Sequence, residues 1–407
     1  METEMQKRLV IIGAGFAGMY AALSAARLRD NENVSPEKLD IVLVSPEPRL
    51  VIRPRLYEPN PQTLTAPLGD VLEAIGVTYM RGTVEAIDTQ AQTIEIALAK
   101  AERHAVSYDR LVLATGSCLF RPPIPGLAEH GFSVDQLDDA IKLDHHLQTL
   151  PQRPASPARN TVVVVGGGFT GIEAATEMPA RLRAIFGVEG TTRVILVERN
   201  GTVVPDLGPG PRPIVEAALS TLGIDTRVGL GVTALDASGV TLSNGERIES
   251  ETVIWAAGIR AAPLTEQIPA ERDRSGRLVV DRELRVPGVS GVFATGDAAK
   301  AASDDIGNYA LMSCQHATRL GAFAGNNAAA ELLGVPTSPY HQEAYVTCLD
   351  LGAAGAVFTR GWDRKVEFVG DKAKAYKREI NTVWIYPPQP DRTAALASAD
   401  PEQVTNL

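Results

Sequence analysis

The chain contains 407 residues, 44% of them hydrophobic, which is enough for two or three domains with a sizeable core. Its 39 basic and 49 acidic residues leave a formal net charge of −10, which argues against a nucleic-acid partner and gives no support for docking on an anionic membrane. The three cysteines, Cys118, Cys314 and Cys348, lie far apart, which argues against a disulfide framework and favours a reduced, cytoplasmic setting.

A glycine-rich turn between a strand and a helix predicts a first nucleotide-binding unit. The β-branched run 9–12 favours a buried parallel strand, and a helical segment follows from about Met19 to Arg29. Gly13 permits a tight turn, Gly15 lets a pyrophosphate approach the backbone, and Gly18 lets helix and strand pack closely. A purely structural turn is the alternative. The residues assigned to a dinucleotide here are Gly13, Gly15, Phe16, Ala17 and Gly18.

The next predicted strand, Asp40 to Val44, ends without the acidic residue that usually binds an adenosine ribose. Ser45 stands at that position, and Glu47 follows two residues later. We therefore expect either Glu47 or, more weakly, Ser45 to contact the ribose hydroxyls.

A second unit repeats the pattern with its acid in place. The run 160–165 predicts a strand, and a helix follows the glycine turn. The next strand ends at Glu198, whose carboxylate would accept hydrogen bonds from the ribose hydroxyls and repel a 2′-phosphate. This favours NADH, although the neighbouring Arg199 weakens the preference and leaves NADPH open. The residues assigned to the second dinucleotide are Gly166, Gly168, Gly171, Glu198 and Gly258.

Both units close on a hydrophobic strand that ends in two small residues and a glycine, 111–116 in the first and 253–258 in the second. Two such units predict an α/β protein with two Rossmann-like domains, in which two dinucleotides bring their reactive rings together.

Further along, the strand 291–295 ends in Gly296 and Asp297, and an aspartate there can hydrogen-bond the ribityl chain of FAD. A turn aspartate that caps a helix is the alternative. The strand-end residues assigned to FAD are Ala114, Thr115, Gly116, Gly296 and Asp297.

These motifs resemble those of flavoproteins with two dinucleotide-binding domains, which have the pyridine nucleotide-disulfide oxidoreductase fold. Among them, the chain is most similar to type II NADH dehydrogenases (NADH:quinone oxidoreductases) and their soluble relatives. The resemblance covers about residues 7–385, and its most specific motifs are 166–177, 291–299 and 313–321.

The resemblance implies a domain organisation. A discontinuous FAD-binding domain would occupy 1–120 and 265–335, and a smaller C-terminal domain 336–407. An NAD(P)H-binding domain at 155–264 would be inserted between the two FAD segments, with the Pro- and Ala-rich stretch 151–160 as the linker.

In type II enzymes, the helix after the Gly-Asp motif begins with an Ala-Gln pair and carries a second glutamine four residues later, close to the flavin and the quinone. Here Gln315 matches the first glutamine, Cys314 replaces the alanine and Arg319 replaces the second glutamine. The resemblance implies a catalytic role for Gln315 and cofactor contacts from Gln315, His316 and Ala317. Arg319 favours, as an alternative to a quinone, an acidic or phenolate acceptor, because a guanidinium pairs bidentately with such groups.

The resemblance also implies two charged catalytic residues. Glu173, in the second-unit helix, matches a glutamate near the flavin and would assist proton uptake, whereas an acid favoured by the helix dipole is the alternative. Lys377 is similar to a basic residue near the flavin. Arg53 falls where the FAD domain of the family passes the isoalloxazine, so Arg53 or Arg55 would contact the cofactor or guide an anionic acceptor. A solvated basic loop is the alternative there.

Three further patterns argue for absences. After Ile380, prolines interrupt any long helix and no stripe of apolar and basic residues follows, so we expect a soluble protein without stable membrane insertion. Adjacent His145 and His146 do not share a helix face, which predicts an exposed polar pair and no metal site. The wide spacing of Cys118 and Cys348 favours structural thiols over a redox pair.

The sequence therefore predicts an FAD-dependent NAD(P)H dehydrogenase. NADH on the second unit would transfer hydride from C4 to flavin N5 across about 3–3.5 Å, and the electrons would pass to a quinone-like or other small acceptor. A ferredoxin or rubredoxin reductase, a small-metabolite dehydrogenase, and a flavin-bound sensor or interaction protein are the alternatives. The oligomeric state, including a homodimer, stays open.

Overall fold

The computed structural model describes residues 6–98, 102–187 and 190–403. Its helices are α1 Phe16–Asn31, α2 Gly69–Ala74, α3 Leu127–His130, α4 Leu137–Thr149, α5 Phe169–Phe186, α6 Arg212–Thr221, α7 Cys314–Leu333, α8 Gly370–Glu379 and α9 Arg392–Ala397. Its strands are β1 Lys7–Ile12, β2 Leu39–Ser45, β3 Arg49–Val51, β4 Thr65–Pro67, β5 Thr78–Arg81, β6 Thr83–Asp88, β7 Thr93–Ala97, β8 Arg103–Ser107, β9 Arg110–Leu113, β10 Ser117–Leu119, β11 Gly131–Phe132, β12 Thr161–Val165, β13 Arg193–Glu198, β14 Ile224–Val228, β15 Val232–Asp236, β16 Gly239–Leu242, β17 Arg247–Glu249, β18 Thr252–Trp255, β19 Ile259–Ala261, β20 Leu278–Val279, β21 Val292–Ala294, β22 Ala299–Lys300, β23 Val346–Asp350, β24 Ala356–Arg360 and β25 Lys365–Val369.

The first parallel sheet has the strand order β21-β9-β1-β2-β5. In its centre, Val10 lies between Val42 of β2 and Leu111 of β9. The central strands are continuous apolar runs because both faces of the sheet are covered. One face packs on α1 and α7, and the other packs on the antiparallel strands β6 to β8.

The second parallel sheet has the order β11-β18-β12-β13-β14. Val162 and Val164 face α5, whereas Val163 and Val165 face the small antiparallel sheet β15-β16-β17. Each sheet begins with strand, glycine turn and helix, so the predicted α/β class with two Rossmann-like units is confirmed. The domain boundaries stay a prediction, and β11, at Gly131–Phe132, adds a strand to the second sheet from ahead of residue 155.

Close packing of α1 against α7 brings two helix N-termini side by side. Cβ atoms placed on Gly321 and Gly325 would clash with the backbone of Ala17 and Ala21. Only glycine permits this approach, since any side chain would separate the two helices. The first turn of α7 is thereby held beside the first glycine turn, where β21 also ends.

The C-terminal segment forms an antiparallel sheet, β23-β24-β25, covered by α8. A π-helical turn, Ile380–Trp384, ends α8, and the short α9 follows. Across the described ranges, no helix has both the length and the apolar content needed to traverse a bilayer.

The prediction of an exposed histidine pair was wrong for His146. His145 is exposed, but His146 is buried against Phe132 at 4.3 Å between ring centroids, and its Nε2 lies 2.8 Å from Thr252 Oγ1. Burial, with the nearby Arg153 charge, lowers the His146 pKa to about 4. One of two adjacent helical side chains faces the core because α4 packs along the second sheet.

Among the described residues, no group of histidine, cysteine or acidic side chains is arranged to hold a metal ion.

Candidate active site

The first glycine turn has the local geometry of a phosphate cradle. Gly13 adopts a φ of +110°, and a Cβ on Gly18 would clash with the Gly13 carbonyl, so the turn and helix touch directly. Gly15 begins α1, and a Cβ placed on it would meet no described atom within 4 Å. The first turn of α1 carries no acidic residue and no described side chain caps it. Its free N–H groups therefore face open space of the kind that an anionic pyrophosphate would fill.

The second glycine turn repeats this geometry. Gly166 has a φ of +112°, and a Cβ on Gly171 would clash with its carbonyl. Gly168 begins α5, with no described atom within 4 Å of a Cβ placed there and no acid in the first helical turn. The two turns thus leave two separate helix N-termini open, each without an acidic residue in its first turn.

Glu198 closes the second turn from the neighbouring strand. Its Oε2 accepts a hydrogen bond from the Gly167 backbone N–H at 2.6 Å, and its Oε1 accepts from the backbone and side-chain nitrogens of Asn200 at 2.6 and 2.7 Å. The residue is buried, whereas Arg199 beside it is exposed. Gly167 and Asn200, which the sequence analysis did not single out, together fix the carboxylate.

In the first unit, the corresponding strand end is arranged differently. Ser45 is buried and its hydroxyl donates to the Glu47 carbonyl at 2.7 Å. The Glu47 carboxylate pairs with Arg49 at 2.6 Å and stays half exposed at the edge of a shallow cavity of about 330 Å³, also lined by Thr65 and Arg81. Of the two predicted ribose contacts, Glu47 presents its carboxylate to this cavity, and its assignment stays a prediction.

Buried hydroxyls at two neighbouring strand ends fit a bound cofactor. Thr115 Oγ1, after β9, and Thr295 Oγ1, after β21, have no hydrogen-bond partner among the described residues. Gly296 follows with a φ of +59°, and a Cβ on it would lie 2.8 Å from the Ala17 side chain and 3.5 Å from that of Ala317. The ends of α1, β21 and α7 therefore meet at one point, with unsatisfied polar atoms that a ligand such as FAD would pair.

Asp297 belongs to a buried polar network. Its carboxylate accepts from Ser117 Oγ at 2.6 Å and lies 3.7 Å from an Arg53 nitrogen. Arg53 also pairs with Asp135 at 2.6 Å and donates to Ser117. Burial raises the pKa of Asp297, opposed by the Arg53 charge and the Ser117 hydrogen bond. Asp297 lies inside a short 3-10 turn, Gly296–Ala298, that leads into a strand, and its carboxylate pairs with Ser117 and Arg53, so the helix-capping alternative does not apply.

The arginines of the basic run 49–55 are held in ion pairs. Arg53 joins the segment ahead of α4 to the Asp297 network through Asp135, and Arg55 makes a bidentate pair with Glu58 at 2.9 and 2.7 Å. The alternative, a solvated basic loop, does not describe Arg53 and Arg55, because both side chains are at least half buried. Their proposed guidance of an anionic acceptor stays a prediction.

The two predicted charged catalytic residues form a buried ion pair. Lys377 Nζ of α8 lies 2.8 Å from Glu173 Oε1 of α5, and each residue is only 8% exposed. Burial raises the pKa of Glu173, opposed by Lys377. Burial alone would lower the pKa of Lys377, but attraction and hydrogen bonding to Glu173 outweigh it and raise that pKa above its ordinary value. Both shifts favour protonated forms, so the pair retains a proton more firmly than either group would in water.

Asp350 extends this pair towards the surface, and the sequence analysis did not find it. Its backbone N–H donates to Glu173 Oε1 at 3.1 Å, and its carboxylate pairs with Lys374 Nζ at 2.5 Å. Lys374 is partly exposed, one helical turn before Lys377. The only sequence signal was the i, i+3 spacing of these two lysines, which places both on one face of α8.

The first turn of α7 lies between Asp297 and Lys377. The partly buried Cys314 thiol interacts electrostatically with both charges, and its desolvation raises its pKa to about 11. Gln315 is 8% exposed and follows it in α7. Ser313 caps the helix by accepting from the His316 backbone N–H. Gln315 and Ala317 thus lie in the first turn of α7, at the junction between the Asp297 network and the Glu173–Lys377 pair.

Arg319 does not belong to this junction. Its Nε donates to the His341 carbonyl at 2.8 Å, its guanidinium lies 5.3 Å from the Phe323 ring centroid, and Glu402 lies 4.0 Å away. The arginine is 5% exposed and anchors the chain after α7 and the C-terminal tail. Arg319 is thus held by these partners, and its expected effect on the choice of acceptor stays a prediction.

The cysteines lack the properties of a redox pair. All three are free, and burial raises the pKa of Cys118 and brings that of Cys348 to about 12. Cys348 Sγ lies 3.6 Å from the Ala373 carbonyl. A thiolate is the reactive form of cysteine, so these shifts disfavour thiol chemistry.

Comparisons with known proteins place the chain among flavoproteins. The family model described as pyridine nucleotide-disulphide oxidoreductase matches residues 7–321. An NADH dehydrogenase-like protein of Mycobacterium tuberculosis is 48% identical over 97% of this chain and 98% of its own length. The demethylphylloquinone reductase of Synechocystis is 31% identical over 88% of this chain and 87% of its own length. The structure of NDH2 from Plasmodium falciparum in complex with NADH shares the fold, with a TM-score of 0.78 at 16% identity over 97% of each chain.

Proposed function

Because the chain belongs to the pyridine nucleotide-disulphide oxidoreductase family, it is an FAD- and NADH-dependent oxidoreductase, and we propose that it passes the electrons to a quinone-like small acceptor. The observation that carries the two-dinucleotide part of this proposal is the pair of glycine turns, each opening a helix N-terminus onto free space, and the similarity to the demethylphylloquinone reductase supports the quinone-like acceptor. When bound, FAD supplies the two-electron chemistry that links the nicotinamide to the second acceptor.

In this proposal, the residues of each unit bind and orient one dinucleotide. Gly15 and the N–H groups of α1 receive the FAD pyrophosphate, and Asp297 binds the ribityl chain. Glu198 receives the ribose hydroxyls of NADH, with its carboxylate held in place by Gly167 and Asn200. This fixed carboxylate favours NADH over NADPH, since a 2′-phosphate would face a buried negative charge.

The Glu173–Lys377 pair serves the acceptor side. Reduction of a quinone consumes protons, and Glu173 Oε1 with Lys377 Nζ holds one at the junction with α7. Lys374 and Asp350 extend the polar contacts of this pair towards the surface, where Lys374 is partly exposed to solvent. The raised thiol pKa values disfavour disulfide or persulfide reduction as the second half of the reaction.

Anaerobic stopped-flow mixing tests the proposal. NADH is expected to bleach the flavin of the purified protein, and menadione to restore the colour faster than a ferredoxin or a rubredoxin does. Gly168→Ala would fill the second cradle without strain and should raise the NADH concentration needed for bleaching, while the FAD content stays unchanged. Gly15→Ala is the matched variant and should instead lower the FAD content. Absence of NADH-dependent bleaching in the native protein would refute the proposal.

A further inference from the structure

Four side chains meet where α7 faces the C-terminal sheet, and we call them the His316 cluster: His316, Tyr345, Trp362 and Arg364. The rings of Tyr345 and Trp362 stack at 4.7 Å between centroids, and His316 lies 5.0 Å from the first and 5.9 Å from the second. The Arg364 guanidinium lies 4.1 Å from the Tyr345 ring centroid. His316 is 0% exposed, Tyr345 5% and Arg364 7%.

Three buried nitrogen atoms of this cluster have no hydrogen-bond partner within the part of the chain that the structure describes. They are His316 Nε2, Trp362 Nε1 and Arg364 Nη1. Buried polar groups are almost always paired, so three neighbouring exceptions indicate that another species satisfies them.

The unsatisfied nitrogens are all donors. The Trp362 and Arg364 nitrogens have no lone pair to accept a hydrogen bond. Ser313 Oγ accepts from the His316 backbone N–H and lies 3.0 Å from His316 Nδ1; with the Ser313 hydroxyl donating to Nδ1, the neutral ring carries its hydrogen on Nε2. Burial and the charges of Arg364 and Arg277 keep this imidazole neutral by lowering its pKa to about 3. A set of donors with one positive charge selects an oxyanion.

The backbone of Arg364 supports a role for its guanidinium. Arg364 has a φ of +56°, in the left-handed region that glycine and asparagine occupy at lower cost. Its turn is fixed by hydrogen bonds from the Gly361 N–H to the Tyr345 carbonyl and from the Arg364 N–H to the Gly361 carbonyl, at 2.8 and 3.1 Å. An arginine kept at a strained position on a rigid turn is typical of a functional site.

The cluster also lies beside the junction of predicted catalytic residues. His316 directly follows Gln315, and Tyr345 is close enough to Cys314 for the two to interact electrostatically. We propose that the His316 cluster is an anion subsite that binds an ionised acidic group, a carboxylate or an enolate oxygen, carried by the electron acceptor. This inference rests on the proposed function and adds the chemical class of the acceptor. The proposal gives Arg364 the role of pairing with an acidic acceptor, which the sequence pattern had suggested for Arg319.

Calorimetric titration of the oxidised FAD-containing protein, without NADH, tests this subsite. The probes are lawsone, a naphthoquinone whose ring hydroxyl is ionised at neutral pH, and menadione, which carries an uncharged methyl group in its place. We expect Arg364→Asn and Trp362→Phe to weaken lawsone binding by about tenfold or more, and to change menadione binding by less than about twofold. Arg360→Asn, on the exposed face of β24, is the matched arginine control and should change neither.

Each outcome decides the matter. Arg364→Asn should keep or raise the melting temperature, because asparagine relieves the left-handed backbone, whereas a purely structural arginine would lower it. Equal effects on both probes, or no effect on lawsone, would overturn the subsite and leave a buried water as the partner of the donors. Loss of FAD from both variants would overturn it in favour of a cofactor contact. Flavin bleaching by NADH, measured separately, reports on the proposed function alone.

Discussion

Replacing Lys377 by methionine is expected to destabilise the protein in a pH-dependent manner. The change removes the cation 2.8 Å from Glu173 and leaves a carboxylate in a site where both residues are 8% exposed. Breaking one side of a buried ion pair costs about 3–5 kcal/mol. We therefore expect Lys377→Met to lose about that much free energy of unfolding at pH 7.

The pH dependence has a definite sign. Burial raises the folded-state pKa of Glu173 above its ordinary value of 4.5, and the lost Lys377 charge no longer opposes this rise. Between the unfolded and the folded pKa, the folded state binds more protons, so stability falls as pH rises, by up to about 1.4 kcal/mol per pH unit. The penalty of the substitution should thus be small near the unfolded pKa and grow towards neutral pH.

Urea unfolding followed by far-ultraviolet circular dichroism, at pH 5 and pH 7, measures this effect. Lys365→Met, on an exposed strand position, is the matched control and should stay within about 0.5 kcal/mol of the native protein. Adding Glu173→Gln to Lys377→Met should recover part of the loss at pH 7, since the buried charge is gone. A loss below about 1 kcal/mol at pH 7, or an equal loss at both pH values, would refute the reasoning.

Three further outcomes are expected. Glu198→Gln should raise the KM for NADH by about tenfold or more and reduce the preference over NADPH, because a charged acceptor of ribose hydroxyls is lost; unchanged steady-state selectivity would contradict this. Gly321→Ala should lower the melting temperature, although alanine usually stabilises a helix, because its Cβ would clash with the Ala17 backbone. The comparison variant is Gly334→Ala, whose Cβ meets no described atom but whose φ of +73° is strained for alanine, so it reports the cost of backbone strain without a clash. The earlier protonation of His146 in the unfolded chain should account for up to about 3 kcal/mol of the stability lost as pH falls from 6.5 to 4, beside a loss of the same sign from buried His316; His146→Gln should remove the His146 share of that slope in denaturant titrations.

The sequence by itself determined the elements whose requirements are local. The two strand-turn-helix units could be predicted because the turn requires a positive φ at Gly13 and direct helix–turn contact at Gly18, and the second unit repeats both requirements at Gly166 and Gly171. The predicted strand at 160–165 is β12 at Thr161–Val165, and the predicted helices start within a few residues of α1 and α5. Helix boundaries differed because α1 and α5 begin inside the glycine motif, where side-chain patterns carry no signal.

Only the tertiary structure decided which polar side chains meet. Glu173 and Lys377 pair because α8 returns from the C-terminal sheet to the first turns of α5, a contact that no sequence spacing encodes. Arg319 is held by the segment after α7, whereas Arg364 reaches the buried cluster from a distant hairpin. Long side chains pair with whatever partners the folded chain supplies, so their roles follow from packing between segments, while a glycine turn acts through its own backbone.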